Sequence, residues 1–207
     1  MGRGTALALF ASALLFFCEP AEVGAACELP PLQDPAKPRM VYRLDETKSL
    51  VRFDAKAFLH DFTGKTSKVQ GSIRLSDPDR LDDAEACVAI DAAGLDTGNG
   101  TRDDTMRKDH LETTKYPTIG FRLAQVESAR RDAGGWVFTA RGTLLLHGTS
   151  REIRLPVHAR QDGDAVRLTA TLPLKMSDYQ IPIPKLLFVA VEDQVQVSFD
   201  VLARPAR

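Results

Sequence analysis

Residues 136–176 read WVFTARGTLLLHGTSREIRLPVHARQDGDAVRLTATLPLKM, and three alternating runs account for almost all of them. Trp136, Phe138, Ala140, Gly142, Leu144 and Leu146 share one parity, as do Ile153, Leu155, Val157 and Ala159, and then Val166, Leu168, Ala170, Leu172, Leu174 and Met176. Successive side chains of a β-strand point to opposite faces, so each run places its apolar residues on one side of a sheet. The connections His147-Gly148-Thr149 and Asp162-Gly163-Asp164 are turn sequences. Links this short join antiparallel neighbours.

The same period extends outward in both directions. Val51, Phe53, Ala55 and Ala57 alternate with Arg52, Asp54 and Lys56; Val69, Gly71, Ile73 and Leu75 alternate with Gln70, Ser72 and Arg74. Residues 84–90, 119–123 and 195–201 repeat it, and residues 40–46 supply an opening strand, giving about nine. No crossover helix separates them. Many one-sided strands joined by short turns specify an all-β sandwich or closed barrel, and closure removes the exposed edges of strands this long. Two segments break the pattern. Residues 101–112 are charged, with Met106 and Leu111 at helical spacing, which predicts a short surface helix packing those two inward. Residues 179–189, YQIPIPKLLFV, are apolar but carry Pro182 and Pro184, which a central strand does not accept. They are expected to form either a plug folded into the core or a lid at a cavity mouth.

In a chain of 207 residues, with 43% apolar and 27% charged residues, one core-bearing domain is expected. It should occupy residues 40–204. Arg3, an apolar run from Ala6 to Phe17 and the small residues Gly24, Ala25 and Ala26 have the layout of a cleaved export signal, residues 1–26. The run is too short to span a membrane, for which ~20 residues are needed. A proline-rich, extended lead-in covers residues 27–39. Removing Arg3, Glu19 and Glu22 with the signal takes the formal charge from −1 to neutral, which excludes a field suited to nucleic acid. Cys27 and Cys87 remain. Two unpaired thiols are the first expectation, with a disulfide and a lipidated Cys27 as alternatives.

Residues 95–121, LDTGNGTRDDTMRKDHLETTKYPTIGF, resemble the signature of the YceI-like family in order and spacing. Residues 142–157, GTLLLHGTSREIRLPV, are similar to its Gly-x-Leu-x-Leu-x-Gly strand and the strand that follows; residues 42–73 are similar to its opening. The resemblance implies an extended, lipocalin-like antiparallel β-barrel of eight or nine strands with a helix laid against it. It also implies a periplasmic or secreted protein holding a long isoprenoid or fatty chain in a central tunnel.

An eight-stranded barrel has an interior just wide enough for side chains or one slim ligand. Small residues of the inward parity, among them Ala55, Gly71, Ala86, Ala140, Gly142 and Ala170, favour an underfilled interior. Phe53, Phe121, Trp136, Phe138, Leu172 and Phe199 are expected to line the tunnel, and Leu187 and Phe188 to lie near its mouth. Residues 60–68, HDFTGKTSK, read as a polar, basic loop. His147 and His158 suit turn and solvated positions, and Arg102 suits an ion pair with Asp103 or Asp104. His60 and Asp61, approached by His110, offer a weak nitrogen and oxygen metal site. No Gly-x-Ser-x-Gly, P-loop or dinucleotide glycine pattern is present, and neither a catalytic constellation nor a cofactor is expected. The rival to a carrier is a barrel with a filled core acting through protein contact at residues 181–189. A homodimer is open.

Overall fold

The computed structural model describes Cys27, Leu29 and residues 39–186 and 189–206. The expected signal, residues 1–26, and most of the lead-in lie outside the described residues. Eleven strands are formed: β1 (Met40–Leu44), β2 (Leu50–Ala57), β3 (Phe62–Thr66), β4 (Val69–Leu75), β5 (Glu85–Asp91), β6 (Thr118–Asp132), β7 (Gly135–Leu146), β8 (Thr149–Asp162), β9 (Ala165–Lys175), β10 (Lys185–Leu186) and β11 (Val189–Pro205). A single short α-helix, α1 (Gly100–Thr105), runs into a π-helical turn over Met106–His110.

All pairings between these strands are antiparallel, and the order β1-β4-β5-β6-β7-β8-β9-β11 returns to β1, which closes an eight-stranded barrel. Two of its eight positions are interrupted strands. β1 and β2 follow one another along β11, with Leu44 opposite Ala203 and Leu50 opposite Asp200. β3 and β4 lie beside them in the same way, Thr66 opposite Val51 and Ile73 opposite Tyr42. Past Asp91 a gap opens beside β3, since β5 ends there opposite Thr118, where β6 only begins. The segment carrying α1 fills that gap, joined to β3 by reciprocal backbone hydrogen bonds of 2.9 Å between Lys65 and Asp96.

The turns obey the expected chemistry. His147 and Gly148 both take positive φ, 50° and 71°, between β7 and β8, as a two-residue hairpin with right-handed strand twist requires. β6 is far longer than the alternation of residues 119–123 suggested. Register shifts between Leu123 and Gln125 and between Glu127 and Arg130 mark bulges, which move side chains to the other face and hide the period. β11 has a similar shift between Val191 and Val195. β3 corrects the reading of residues 60–68 as a loop: Gly64 and Thr66 are buried while Thr63 and Lys65 are exposed, a short strand with one wet face.

Cys27 and Cys87 form a disulfide with Cα atoms 5.5 Å apart, which corrects the expectation of two free thiols and leaves Cys27 no thiol for a lipid. A separation of 60 residues carried no sign of this proximity. Ala86, Val88 and Ile90 of β5 line the barrel interior. Cys87 and Ala89 therefore face outward, yet both are buried. The link closes a long loop, so Cys87→Ser should destabilise the protein by about 2–4 kcal/mol in urea unfolding, and reductant should lower the parent to the same level.

At the break between β1 and β2, Asp45 accepts a 2.8 Å hydrogen bond from Arg204 and further bonds from the Thr47 hydroxyl and backbone N–H. Arg204 first and Thr47 second hold its carboxyl down at about 2. A depressed carboxyl contributes stability above its unfolded value, near 3.8, and loses it as the pH falls through about 2. Asp45→Asn should lower the melting temperature at neutral pH, and thermal scans should show the gap closing between these two pH values.

Candidate functional site

The barrel is hollow. A continuous cavity of about 1440 Å³ runs along its axis, lined by aliphatic and aromatic side chains from every barrel position. From Trp136 to Leu146 the wall spans about 25 Å along the axis, given ~3.3 Å per residue and a tilt near 40°. Exposure confirms the void: Phe53, Phe121, Phe138 and Phe199 point inward but are only half-buried.

Not every small residue makes space. A Cβ on Gly142 would sit 2.6 Å from the Phe121 ring, and one on Gly64 would sit 2.2 Å from that of Phe53. These glycines are notches in which rings lie flat against the wall. Gly71 has the backbone of Cys87 and the Leu44 side chain across it in the same way, so Gly71 and Gly142, expected among the space-making residues, are covered. The lumen is left by the alanines, including Ala55, Ala86, Ala140, Ala159 and Ala170, all of which line it.

The two ends differ. Beside the β6–β7 turn, the Trp136 indole donates to the carbonyl of Pro78 at 3.0 Å, and the Arg131 guanidinium lies 4.8 Å from the ring while pairing with Asp79. This group braces the tunnel's end. At the other end, Tyr179 and Ile181 are buried against Ala55, Leu144, Leu146, Leu174 and Val195, so the proline segment begins as a plug. Two histidines hold it by its carbonyls. His147 Nδ1–H donates to Tyr179 O at 3.1 Å, and His110 Nδ1–H donates to Pro182 O at 2.7 Å. His147 Nε2 lies 2.8 Å from Glu112 Oε2, and Tyr116 packs edge-on against the ring. His147 lies in the β7–β8 turn as expected, but its side chain is buried, only 8% exposed. Beside the plug a rim remains between Leu59, His60, Met106, His110, Pro184 and Lys185, all of which line the cavity.

α1 is pinned at that rim by Thr97. Asp103 accepts from the Thr97 backbone N–H at 2.9 Å and hydroxyl at 2.6 Å; burial alone would raise its carboxyl, but these bonds outweigh it and hold the carboxyl below its usual value. Arg102 does not form the expected ion pair with Asp103 or Asp104. It donates to the Thr97 hydroxyl at 2.7 Å and carbonyl at 3.1 Å, and its guanidinium lies 4.5 Å from the Phe62 ring. Met106 and Leu111 point into the cavity, as helical spacing predicted.

Six sequence-predicted site residues, Phe53, Phe121, Trp136, Phe138, Leu172 and Phe199, line one cavity. Leu187 and Phe188 lie outside the described residues. Sequence reasoning missed Phe62, whose shared parity with Gly64 and Thr66 was the available signal, and the latch made by His110 and His147. Among the described residues no group of three or more His, Cys, Asp and Glu side chains is placed to hold a metal, which removes the site built on His60, Asp61 and His110. The filled-core alternative fails against the cavity volume, and the contact surface expected at residues 181–189 starts with the buried Ile181. No described helix is long and apolar enough to cross a membrane.

An antiparallel eight-stranded barrel around an elongated apolar hollow defines a lipocalin-like architecture. Within it, this chain belongs to the YceI-like family, whose YceI-like domain matches residues 42–203. Among solved structures, BcnA of Burkholderia cenocepacia shares 25% identity over 77% of this chain and 98% of its own, with a TM-score of 0.67. A polyisoprenoid binding domain from Saccharophagus degradans, implicated in plant cell wall breakdown, shares 20% identity over 80% and 98%, with a TM-score of 0.63. The Campylobacter jejuni YCEI protein shares 21% over 70% and 84%, with a TM-score of 0.56. No curated protein sequence matches the chain.

Replacing His147 by Phe leaves the Tyr179 carbonyl without its donor and removes the imidazole that faces Glu112, while filling similar volume. The variant should lose about 1–3 kcal/mol of stability, measured by urea unfolding at neutral pH.

Proposed function

We propose that the protein is an exported carrier that holds one polyisoprenoid, fatty acid or comparable amphiphile with its tail in the barrel. The observation that carries this reading is the hollow itself: about 1440 Å³ walled almost throughout by apolar side chains and left open by the described residues. Each CH₂ moved from water into such a space is worth roughly 0.8 kcal/mol. Ten methylenes then supply about 8 kcal/mol, enough to offset much of the cost of immobilising a flexible ligand. The likeness to a polyisoprenoid binding domain supports the choice of ligand class. The almost wholly apolar wall favours a role in binding.

Two features support export. The N-terminal sequence has the layout of a cleaved signal. The Cys27–Cys87 disulfide belongs to an oxidising compartment such as the periplasm.

Organic extraction of protein purified from its native compartment, followed by mass spectrometry, should release a long-chain lipid. A protein that carries none, and takes up none when offered isoprenoids and fatty acids, contradicts the reading. Ala140 and Ala170 face each other's strands near mid-tunnel, in the cluster with Leu155, Val157 and Leu172. Ala140→Phe/Ala170→Phe should fill the lumen there and reduce retained lipid about tenfold, whereas the loss in folding stability should stay within about 1–3 kcal/mol, the range for overpacking.

A further inference from the structure

We propose that the β2–β3 turn is a bilayer-contact tip, which brings the tunnel mouth against a lipid surface so that a tail passes between membrane and barrel without crossing water. Phe58 and Leu59 are 82% and 67% exposed, the two most exposed large apolar side chains among the described residues. Turn tips favour Gly, Pro, Asn, Asp and Ser, so two large apolar residues here contribute nothing to turn formation. Nor do they belong to any of the three core clusters. They are left projecting from the end of a hairpin.

Position identifies the partner. Leu59 both projects into solvent and lines the cavity, as does His60 after it, so the apolar tip is continuous with the lumen. An aqueous protein partner would gain nothing from that continuity, whereas a ligand tail leaving a bilayer needs an unbroken apolar path. Among the described residues the opposite end has no such tip. There the turns carry Asp77, Asp79, Asp132, Asp162 and Asp164, and Trp136 is tied to Pro78. Charge around the proposed tip is balanced: exposed Lys56 and Lys185 stand against Asp61 and Glu192. Attachment is therefore apolar and suits a zwitterionic surface, with little dependence on salt.

The proposal rests on the carrier reading for its purpose, but its test separates the two. The purified protein and a Phe58→Ser variant, altered at a residue outside the cavity lining, are mixed with phosphatidylcholine vesicles and separated by flotation, and both are given a nitrobenzoxadiazole-labelled fatty acid, either from the vesicles or from methyl-β-cyclodextrin. The variant should fold normally, since Phe58 is 82% exposed and belongs to none of the core clusters. We expect the parent to float and the variant to stay behind. Transfer from vesicles should accelerate with vesicle concentration for the parent and be about tenfold slower for the variant, while their affinities for probe delivered by cyclodextrin agree. Equal flotation, or equal transfer rates, overturns the tip. A variant that changes from dimer to monomer by light scattering with unchanged flotation also overturns it, by making the turn a contact between copies. Failure of both proteins to take up probe from cyclodextrin overturns the carrier reading alone, and flotation still decides the tip.

Discussion

The barrel depends on the backbone hydrogen bonds that close the sheet, above all those of β11. This strand pairs with β9 along one edge and, along the other, with β1 near its end and β2 before that. Closure fixes the fate of every alternating strand at once. With no free edge, each apolar parity must face the common interior, and each polar parity must face water. The circumference is then set by eight positions, and the volume enclosed is no longer free to shrink around its contents. A sandwich of the same strands would collapse until its inner side chains met; a closed barrel cannot.

What fills the fixed volume is decided by residue size. Rings lie over Gly64 and Gly142, flattening Phe53 and Phe121 against the wall, while Ala140, Ala159 and Ala170 leave the axis open. The ends are treated separately. Trp136, Pro78, Arg131 and Asp79 brace one of them, and a plug led by Tyr179 and Ile181 occupies part of the other. Pro182 and Pro184 cannot donate, so a sheet ladder holds this segment only at Lys185 and Leu186, paired with β11, and not further back. Side chains from other elements supply its bonds instead: His147 and His110 to its carbonyls, Arg151 to Asp178 O. The resulting channel is hard along its length and built from local contacts at its mouth.

Much of this was legible from residue order. The period of two located eight of the eleven strands closely enough to assign each inward face, and the six described aromatic and aliphatic lining residues came from parity alone. The failures share a physical cause: each depends on something that parity does not encode. Bulges at Leu123/Gln125 and Glu127/Arg130 swapped faces within β6 and concealed most of its length. β3 was too short, and too polar on its wet side, to outweigh the turn residues around it. His147 was legible as a turn residue, but not that its side chain folds under the plug toward Glu112, 35 residues earlier. The disulfide depends on how a proline-rich lead-in returns to β5, which no local pattern specifies.

An apolar channel of fixed span should recognise a chain by its length. Calorimetric titration with a homologous series of unbranched fatty alcohols, presented below their solubility limits, tests it most directly. Affinity should rise about fourfold for each added CH₂, with a negative heat-capacity change, and then level off once the tail spans the channel. Affinity that does not change with tail length, or no measurable binding across the series, would contradict it.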